Sequence, residues 1–342
     1  MGGTVRCPSS ARSELTPQML VYDDFDHRSQ ARWMSYVMYF HRVNYRSPVI
    51  NTDRLGFRIS HGTDSQTSAG GEPANGPVRL LAGSSMAMGI GATCDQATLA
   101  SRLWTTHAPS RPWLNFAGRS HSSAQELLLF LFYRHLLPPV EEIVILSGLN
   151  NLALARLPAG QRGDDGAFFN CGDYFGQMDK LKSQFRTHHF GSGGQQTGGD
   201  EPVRPLQVRI ADAAALTIRH LESWKQLCAG TDARITFVLQ PLATWVRETA
   251  APQERRLFDE LDKISNFWEL FGDIATRETA RRYAELLQVG CEKIDVNFLD
   301  INPLLANSAA DDSWLYVNRA HMTDYGLDLV AQLLARELDL SR

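Results

Sequence analysis

A serine pair directly follows an apolar run in the stretch VRLLAGSSMAMGIGAT, which begins at Val78. The run predicts a buried strand, and Gly83-Ser84-Ser85 predicts a turn into a helix. Two interpretations of Ser85 are open. Either its hydroxyl caps the helix, or the turn presents it as a nucleophile at the carboxyl edge of a parallel sheet. A nucleophilic serine also needs a base and hydrogen-bond donors for an oxyanion.

Residues with this chemistry stand at the ends of later patterns. His321 precedes the final helical pattern and is a candidate for the base. Asn150 follows the apolar run EIVILSG, and Ser120 follows the run PWLNFA. The Asn150 side chain and the backbone N–H groups of Ser85 and Ser120 would suit a developing oxyanion. A turn asparagine and a surface histidine are the structural alternatives.

A second group of residues is expected to contact a substrate. Its members are Gly118, Asn151, Gln240, Arg54 and Arg58. For the two arginines, solvation or pairing with a carboxylate is the favoured interpretation, and contact with an anionic part of a substrate is the alternative.

Five short apolar runs predict the strands that must position these residues. They are VRLLA from Val78, PWLNFA from Pro112, EIVILSG from Glu142, RITFVLQP from Arg234 and VNFLDI from Val296. Helical patterns such as SSAQELLLFLFYRHLL and GLDLVAQLLARELDL lie between most of them or close the chain. This alternation predicts an α/β fold with a parallel sheet between two layers of helices.

The 342 residues predict either one large domain with additions or two domains. We expect residues 1–76 to form an N-terminal extension that packs on a main domain spanning 77–342, with a long insertion around 157–205. The insertion contains a Gly-rich loop and the pair His188-His189, for which a solvated loop is favoured over a metal site.

Composition narrows the function. The net charge of −4 gives no global attraction to nucleic acid or anionic membranes. The N-terminus lacks the apolar core of a signal peptide, and no apolar run is long enough to span a membrane. Five scattered cysteines without a CxxC pair suggest reduced thiols, so a cytoplasmic protein is expected. Dinucleotide, P-loop and zinc motifs are missing from the sequence, and neither a cofactor nor a metal is expected.

Four blocks of the chain resemble the SGNH (GDSL-like) hydrolase superfamily. They are Gly83-Ser84-Ser85 with Gly89, Asn115 with Ser120, Gly148-Leu149-Asn150-Asn151, and Asn318-Arg319-Ala320-His321. The resemblance implies a five-stranded parallel sheet in flavodoxin-like order and an acyl-enzyme on Ser85. It also implies that His321 is the base and that Asn318 occupies the position of the triad aspartate.

A closer resemblance is to the branch described as "inducer of phenazine A"-like. It is carried by NTDRLGFR from Asn51, GSSMAMGIGA from Gly83, SAQELL from Ser123 and GLNN from Gly148. This resemblance implies an enzyme of specialised metabolism that acts on a small-molecule acyl substrate.

Asn318 is the main departure from the family pattern, because asparagine supplies no charge to the histidine and can favour the wrong tautomer. In a serine protease triad the same change costs about 10⁴-fold. Either Asp311, Asp312 or Asp324 substitutes for the missing carboxylate, or a Ser–His dyad suffices, or the site has drifted from hydrolysis.

The expected function is therefore serine-dependent acyl transfer, as an esterase, a thioesterase or an acyltransferase. One alternative is transfer of an acyl or aminoacyl group from a carrier-protein-bound or tRNA-bound donor to a small amine or hydroxyl. A second is a catalytically degenerate ligand-binding protein. The sequence does not indicate an oligomeric state.

Overall fold

The computed structural model describes residues 10–27, 31–72, 74–157, 162–164, 166–169, 171, 172, 174, 176, 203–265 and 267–340. Most of the predicted insertion around 157–205, with His188-His189, lies outside these residues. Among the residues described, two helices and two small antiparallel hairpins precede the central sheet. They are α1 (Ala11–Leu15), α2 (Gln18–Phe25), β1 (Arg32–Met34) with β2 (Met38–Phe40), and β3 (Ser60–His61) with β4 (Gln66–Thr67).

Strands and helices then alternate along the chain. The first half contains β5 (Val78–Gly83), α3 (Ser85–Met88), α4 (Leu99–Arg102), β6 (Trp113–Ala117), α5 (Ser123–Tyr133), β7 (Val140–Ser147) and α6 (Leu149–Leu154). The second half contains α7 (Leu206–Leu227), β8 (Arg234–Leu239), α8 (Ala243–Val246), α9 (Pro252–Leu261), α10 (Phe267–Phe271), α11 (Arg277–Lys293), β9 (Asn297–Asp300), α12 (Ile301–Ser308), β10 (Tyr316–Asn318), β11 (His321–Met322) and α13 (Asp324–Glu337). Short turns of 3-10 helix (Asp95–Ala97, Arg134–Leu136) and π-helix (Leu103–His107) connect some of them.

The central sheet has five strands in the order β6-β5-β7-β8-β9, and all four pairings are parallel. This confirms the predicted α/β class, the five strands and their flavodoxin-like order. The chain leaves β5 toward one neighbour, β6, and later returns to the other, β7. A crevice forms at the carboxyl ends of the strands where the order reverses, and ligands bind at such points in open α/β sheets.

Helices cover both faces of the sheet. Successive residues of a strand point to opposite faces, and Leu81 and Val144 accordingly belong to one buried apolar cluster while Leu80 and Ile143 belong to the other. The first cluster includes α3, α4 and α13, and the second includes α5, α7 and α11. The predicted three-layer arrangement is therefore correct.

Residues before β5 share both clusters with the sheet. Tyr22, Phe25 and Ile50 join the first cluster, and Phe40 and Phe57 join the second. Among the residues described, those before β5 form no separate apolar cluster. The division of the chain at residue 76 therefore stays a prediction.

Within the same described residues, none of the helices combines the length and the apolar character needed to cross a membrane.

Candidate active site

Ser85 is the first residue of α3 and follows β5 through a tight turn. Gly83 has φ +134°, and a Cβ at this position would lie 2.1 Å from the carbonyl oxygen of Leu146. Ser84 does not cap α3 with its side chain; its Oγ lies 2.7 Å from Oε1 of Gln240. The turn therefore needs glycine, and Gln240, at the end of β8, holds the residue beside Ser85.

His321 reaches Ser85 from the β10–β11 hairpin. Its Nε2 lies 2.8 Å from Ser85 Oγ, although 236 positions separate the two residues. The hairpin packs against the turn after α3, where Gly91 has φ +103° and a Cβ would lie 2.3 Å from the carbonyl oxygen of Met322. A glycine at position 91 thus permits the close approach that joins the base to the serine.

Asn318 fixes the tautomer of His321. Its Oδ1 accepts hydrogen bonds from the backbone N–H groups of Ala320 at 3.0 Å and His321 at 2.9 Å, and it lies 3.0 Å from His321 Nδ1. Because two backbone donors point at this atom, it must be the amide oxygen, and Nδ1 must carry the ring hydrogen. Nε2 is then the free acceptor for the hydroxyl hydrogen of Ser85.

The three carboxylates considered as substitutes lie elsewhere. Asp324 is bonded to the backbone N–H and the hydroxyl of Thr93, at 2.9 and 2.5 Å. Asp311 and Asp312 are exposed in the turn before β10. In the described part of the chain, no carboxylate lies within hydrogen-bond distance of His321. The neutral amide of Asn318 is thus the group that orients the ring.

The environment lowers the pKa of His321 to about 3. Burial is the main cause, and the positive charge of Arg119 adds to it. An aspartate at the position of Asn318 would oppose both effects, but the amide carries no charge. The imidazole therefore stays neutral over almost the whole accessible pH range, and it is a weak base.

Ser120 and Asn150, which could donate to an oxyanion, line the same cavity as Ser85. Within the described residues, no hydrogen bond uses the backbone N–H of Ser85 or that of Ser120, which has φ +59° in the turn after β6. Asn150 gives one amide hydrogen to the carbonyl oxygen of His121 at 2.7 Å and keeps the second. Gly118 shapes this turn, since a Cβ there would lie 1.9 Å from Nδ1 of His121.

These groups open into a cavity of about 360 Å³. The cavity is lined by Asp26, Ala31, Trp33, Tyr39, Ser85, Arg119, Ser120, Leu149, Asn150, Phe169, Gln240, Phe267, Phe271, Ala320 and His321. Five of the predicted residues, Ser85, Ser120, Asn150, Gln240 and His321, thus share one site, and Asn318 and Gly118 lie directly behind it.

Three predicted substrate contacts lie elsewhere. Arg58 is buried and bonded to Asp95 at 2.8 Å and to the carbonyl oxygen of Gly89 at 2.9 Å, so it secures the turn after α3. Arg54 is exposed in a turn of the N-terminal region. The favoured interpretation of these arginines, solvation or pairing with a carboxylate, agrees with both positions.

Asn151 points away from the cavity and joins two helices. Its Oδ1 accepts the backbone N–H of Ser123, and its Nδ2 lies 2.7 Å from Oγ1 of Thr217 on α7. It also borders a separate cavity of about 540 Å³ between α6 and α7. None of the described residues that line this second cavity is a serine or a histidine.

Two features of the site were missed in the sequence. One is the charged pair Asp26 and Arg119, and the other is the aromatic wall formed by Trp33, Tyr39, Phe169, Phe267 and Phe271. Arg119 stands between the two residues, Gly118 and Ser120, that were singled out in their turn. The aromatic residues come from three distant segments, and nothing in the sequence indicates that they meet.

Neither a protein-family model nor a curated protein matches the chain. Solved structures with a similar course include the lipase/acylhydrolase from Enterococcus faecalis (12% identity, 77% of this chain and 95% of that chain, TM-score 0.42) and an extracellular lipase from Streptomyces rimosus (13%, 77% and 99%, 0.42). A third is a member of the lipolytic protein G-D-S-L family from Veillonella parvula (9%, 77% and 97%, 0.41). At these TM-scores the likeness carries no argument, and the interpretation of the site rests on its own geometry.

Proposed function

We propose that this protein is a serine-dependent acyl-transfer enzyme of the SGNH type, with Ser85 as the nucleophile. The observation that carries the proposal is the continuous chain from Ser85 Oγ to His321 Nε2, and from His321 Nδ1 to Asn318 Oδ1, at 2.8 and 3.0 Å. A nucleophile, a base and a group that orients the base are the parts that acyl transfer needs.

The reaction follows from these contacts. Ser85 Oγ attacks the acyl carbonyl, and its proton passes to Nε2 of His321. The oxyanion is stabilised by the backbone N–H groups of Ser85 and Ser120 and by the second amide hydrogen of Asn150. The imidazolium then gives its proton to the leaving group, which leaves an acyl-enzyme. An acceptor, water in a hydrolase, attacks this ester and gives its proton to His321. The bond between the acyl carbon and Ser85 Oγ then breaks, and His321 returns the proton to Ser85 Oγ.

The role of Asn318 differs from that of the usual aspartate. In a serine protease triad, asparagine costs about 10⁴-fold because it holds the wrong tautomer. Here the backbone N–H groups of Ala320 and His321 turn the amide oxygen toward Nδ1. Only the stabilising charge is lost, so the site keeps a competent Ser–His pair with a weak base.

Transfer to an acceptor other than water is the second candidate. The low pKa of His321, about 3, favours transfer to another acceptor, because a weak base activates water poorly. A thioester or another activated donor reacts with less help from a base. A carrier-protein-bound or tRNA-bound donor in specialised metabolism remains part of this proposal, as does a small amine or hydroxyl as the acceptor.

A fluorophosphonate probe tests the nucleophile. Intact mass should show one adduct on the wild type and none on Ser85→Ala or His321→Ala. Absence of an adduct on the wild type, under conditions that label an ordinary esterase, would favour the ligand-binding alternative. Hydrolysis of 4-nitrophenyl esters with and without added amines or alcohols then separates a hydrolase from a transferase, because only a transferase diverts product to the added acceptor.

A further inference from the structure

The cavity next to Ser85 contains a charged pair that the acyl-transfer reaction does not use. Arg119 Nε lies 2.6 Å from Asp26 Oδ2, and Arg119 also hydrogen-bonds to the hydroxyl of Tyr39. Of the described residues that line the cavity, Arg119 and Asp26 are the ones whose side chains ordinarily carry a full charge. Charged groups inside a cavity with an aromatic wall are costly to bury and call for an explanation.

The two members of the pair face the cavity unequally. The Arg119 side chain is 32% exposed and that of Asp26 is 12% exposed. The Asp26 carboxylate is occupied, with one oxygen on Arg119 and the other 3.5 Å from the hydroxyl of Tyr39. A guanidinium has five N–H donors in a planar fork, so Arg119 keeps donors beyond those used for Asp26 and Tyr39. The pair therefore offers donors to the cavity rather than acceptors.

On the basis of the acyl-transfer function proposed above, we propose that Arg119 binds an anionic group of the acyl donor, a carboxylate or a phosphate. Asp26 and Tyr39 are positioning residues that hold the guanidinium toward the cavity. The acyl portion packs against the aromatic wall while the anionic group rests on Arg119. A cavity of about 360 Å³ is at the small end of ligand pockets, which favours a short acyl donor.

The electrostatics of the pair agree with this assignment. Burial raises the pKa of Asp26 to about 7, against the opposing effect of Arg119, so a substantial fraction of its carboxyl groups is neutral near pH 7. Burial disfavours the charge of Arg119, yet Asp26 and Tyr39 raise its pKa overall. The Arg119 guanidinium thus stays positively charged, while the Asp26 carboxyl group is negatively charged only part of the time. The pair therefore carries a net positive charge that attracts an anion.

A direct binding experiment tests the proposal independently of catalysis. In the Ser85→Ala background, calorimetry compares monomethyl glutarate, an anion, with dimethyl glutarate, its neutral counterpart. We expect the anion to bind about 10- to 100-fold more tightly, and Arg119→Gln to remove that preference. Asp26→Asn should strengthen anion binding, because the amide still accepts a hydrogen bond from Nε but no longer offsets the charge. Arg42→Gln, which removes an arginine outside the cavity, should change nothing.

A kinetic comparison separates this proposal from the proposed function. The 4-nitrophenyl monoester of glutarate and 4-nitrophenyl pentanoate are compared in kcat/KM, with the same expected preference and the same effects of the variants. If neither ester is turned over and the calorimetric preference persists, the acyl-transfer function fails and the anion site stands. Equal binding of the two glutarates, or weaker anion binding by Asp26→Asn, would overturn the assignment of Arg119.

Discussion

Two helices of this protein begin with a serine that touches a histidine. Ser85 starts α3 after β5, and its Oγ lies 2.8 Å from Nε2 of His321. Ser123 starts α5 after β6, and its Oγ lies 2.7 Å from Nδ1 of His220. By distance and by position in the fold the two pairs look alike.

The two pairs differ in whether the serine's hydrogen-bonding groups are already bonded and whether the serine faces a cavity. The backbone N–H of Ser123 donates to Oδ1 of Asn151 at 3.0 Å, and its Oγ lies 2.5 Å from Nδ2 of the same residue. Ser123 and His220 are both buried and do not line the Ser85 cavity. Ser85 instead opens into the cavity, and none of the described residues accepts a hydrogen bond from its backbone N–H. The Ser–His distance therefore does not define a nucleophile; access and uncommitted oxyanion donors do.

The largest expected effect comes from removing each serine in turn. Ser85→Ala should lower kcat/KM for a 4-nitrophenyl ester by about 10⁴- to 10⁶-fold, because the nucleophile and the base act as a unit. Ser123→Ala should retain activity and full labelling by a fluorophosphonate, as shown by intact mass. Loss of labelling in Ser123→Ala with retention in Ser85→Ala would reverse the roles of the two pairs.

The next effect tests how the hairpin brings its histidine to Ser85. Gly91→Ala would place a Cβ 2.3 Å from the carbonyl oxygen of Met322 and strain a backbone with φ +103°. We expect turnover to fall by about 100-fold, since a displacement of about 1 Å at a catalytic group has that effect. The contact between Ser123 and His220 joins α5 to α7 and should be untouched.

Gly230→Ala is the matched control for this variant. Gly230 has φ +84°, but nothing lies within 4 Å of a Cβ built there. It therefore tests backbone strain without crowding, and its activity should equal that of the wild type. If both glycine variants lose turnover equally, general destabilisation explains the loss, and the hairpin contact does not.

A smaller effect, an increase in the rate of hydrolysis, is expected from a substitution of Asn318, which orients His321. Asn318→Asp should add a charge that stabilises the imidazolium and raise hydrolysis at pH 8 by about tenfold, which corresponds to about 1.4 kcal/mol. It should also raise the pKa of His321 from about 3. The neutral base is lost as pH falls through that value, so the acid limb of the kcat/KM profile should move to higher pH.

Exposed Asn307 provides the control, because Asn307→Asp adds the same charge on α12 outside the cavity. The acid limb of that variant should stay in place. An unchanged limb and rate in Asn318→Asp would mean that a carboxylate already serves His321, contrary to the contacts seen for Asp311, Asp312 and Asp324.

The sheet and the residues at its edge were predictable because each is encoded locally. A buried apolar run predicts a strand, and the carboxyl ends of parallel strands meet at one edge. Ser85, Ser120 and Asn150 each follow such a run directly, so their convergence needed only the strand order. His321 was found from its position just before the final helix, and Asn318 was found only through the resemblance of Asn318-Arg319-Ala320-His321 to an SGNH block.

The rest depends on contacts between distant segments. The orientation of Asn318 is set by backbone N–H groups that a sequence pattern does not display. Asp26 and Arg119 are 93 positions apart and meet only because the N-terminal residues fold over the carboxyl edge. Arg58 and Asn151 were predicted to contact a substrate because the sequence does not show their structural partners. In the fold they bond to Asp95 and Thr217, which lie far from them along the chain.

The smallest expected effect is on the free energy of unfolding, since we expect Ser123 to stabilise the fold and not to take part in the reaction. Ser123→Ala removes a hydroxyl bonded to His220 and Asn151, although Asn151 Nδ2 keeps its contact with Thr217. Loss of a buried hydrogen bond that leaves its partner unsatisfied costs about 1–3 kcal/mol, which urea unfolding would measure. Half-buried Ser223 on α7, whose hydroxyl bonds, among the described residues, only to the carbonyl oxygen of Arg219 one turn earlier, is the control, and Ser223→Ala should stay within about 0.5 kcal/mol of the wild type. Unchanged stability in Ser123→Ala together with reduced turnover would give the buried pair a part in the chemistry, and the distinction between the two serines would fail.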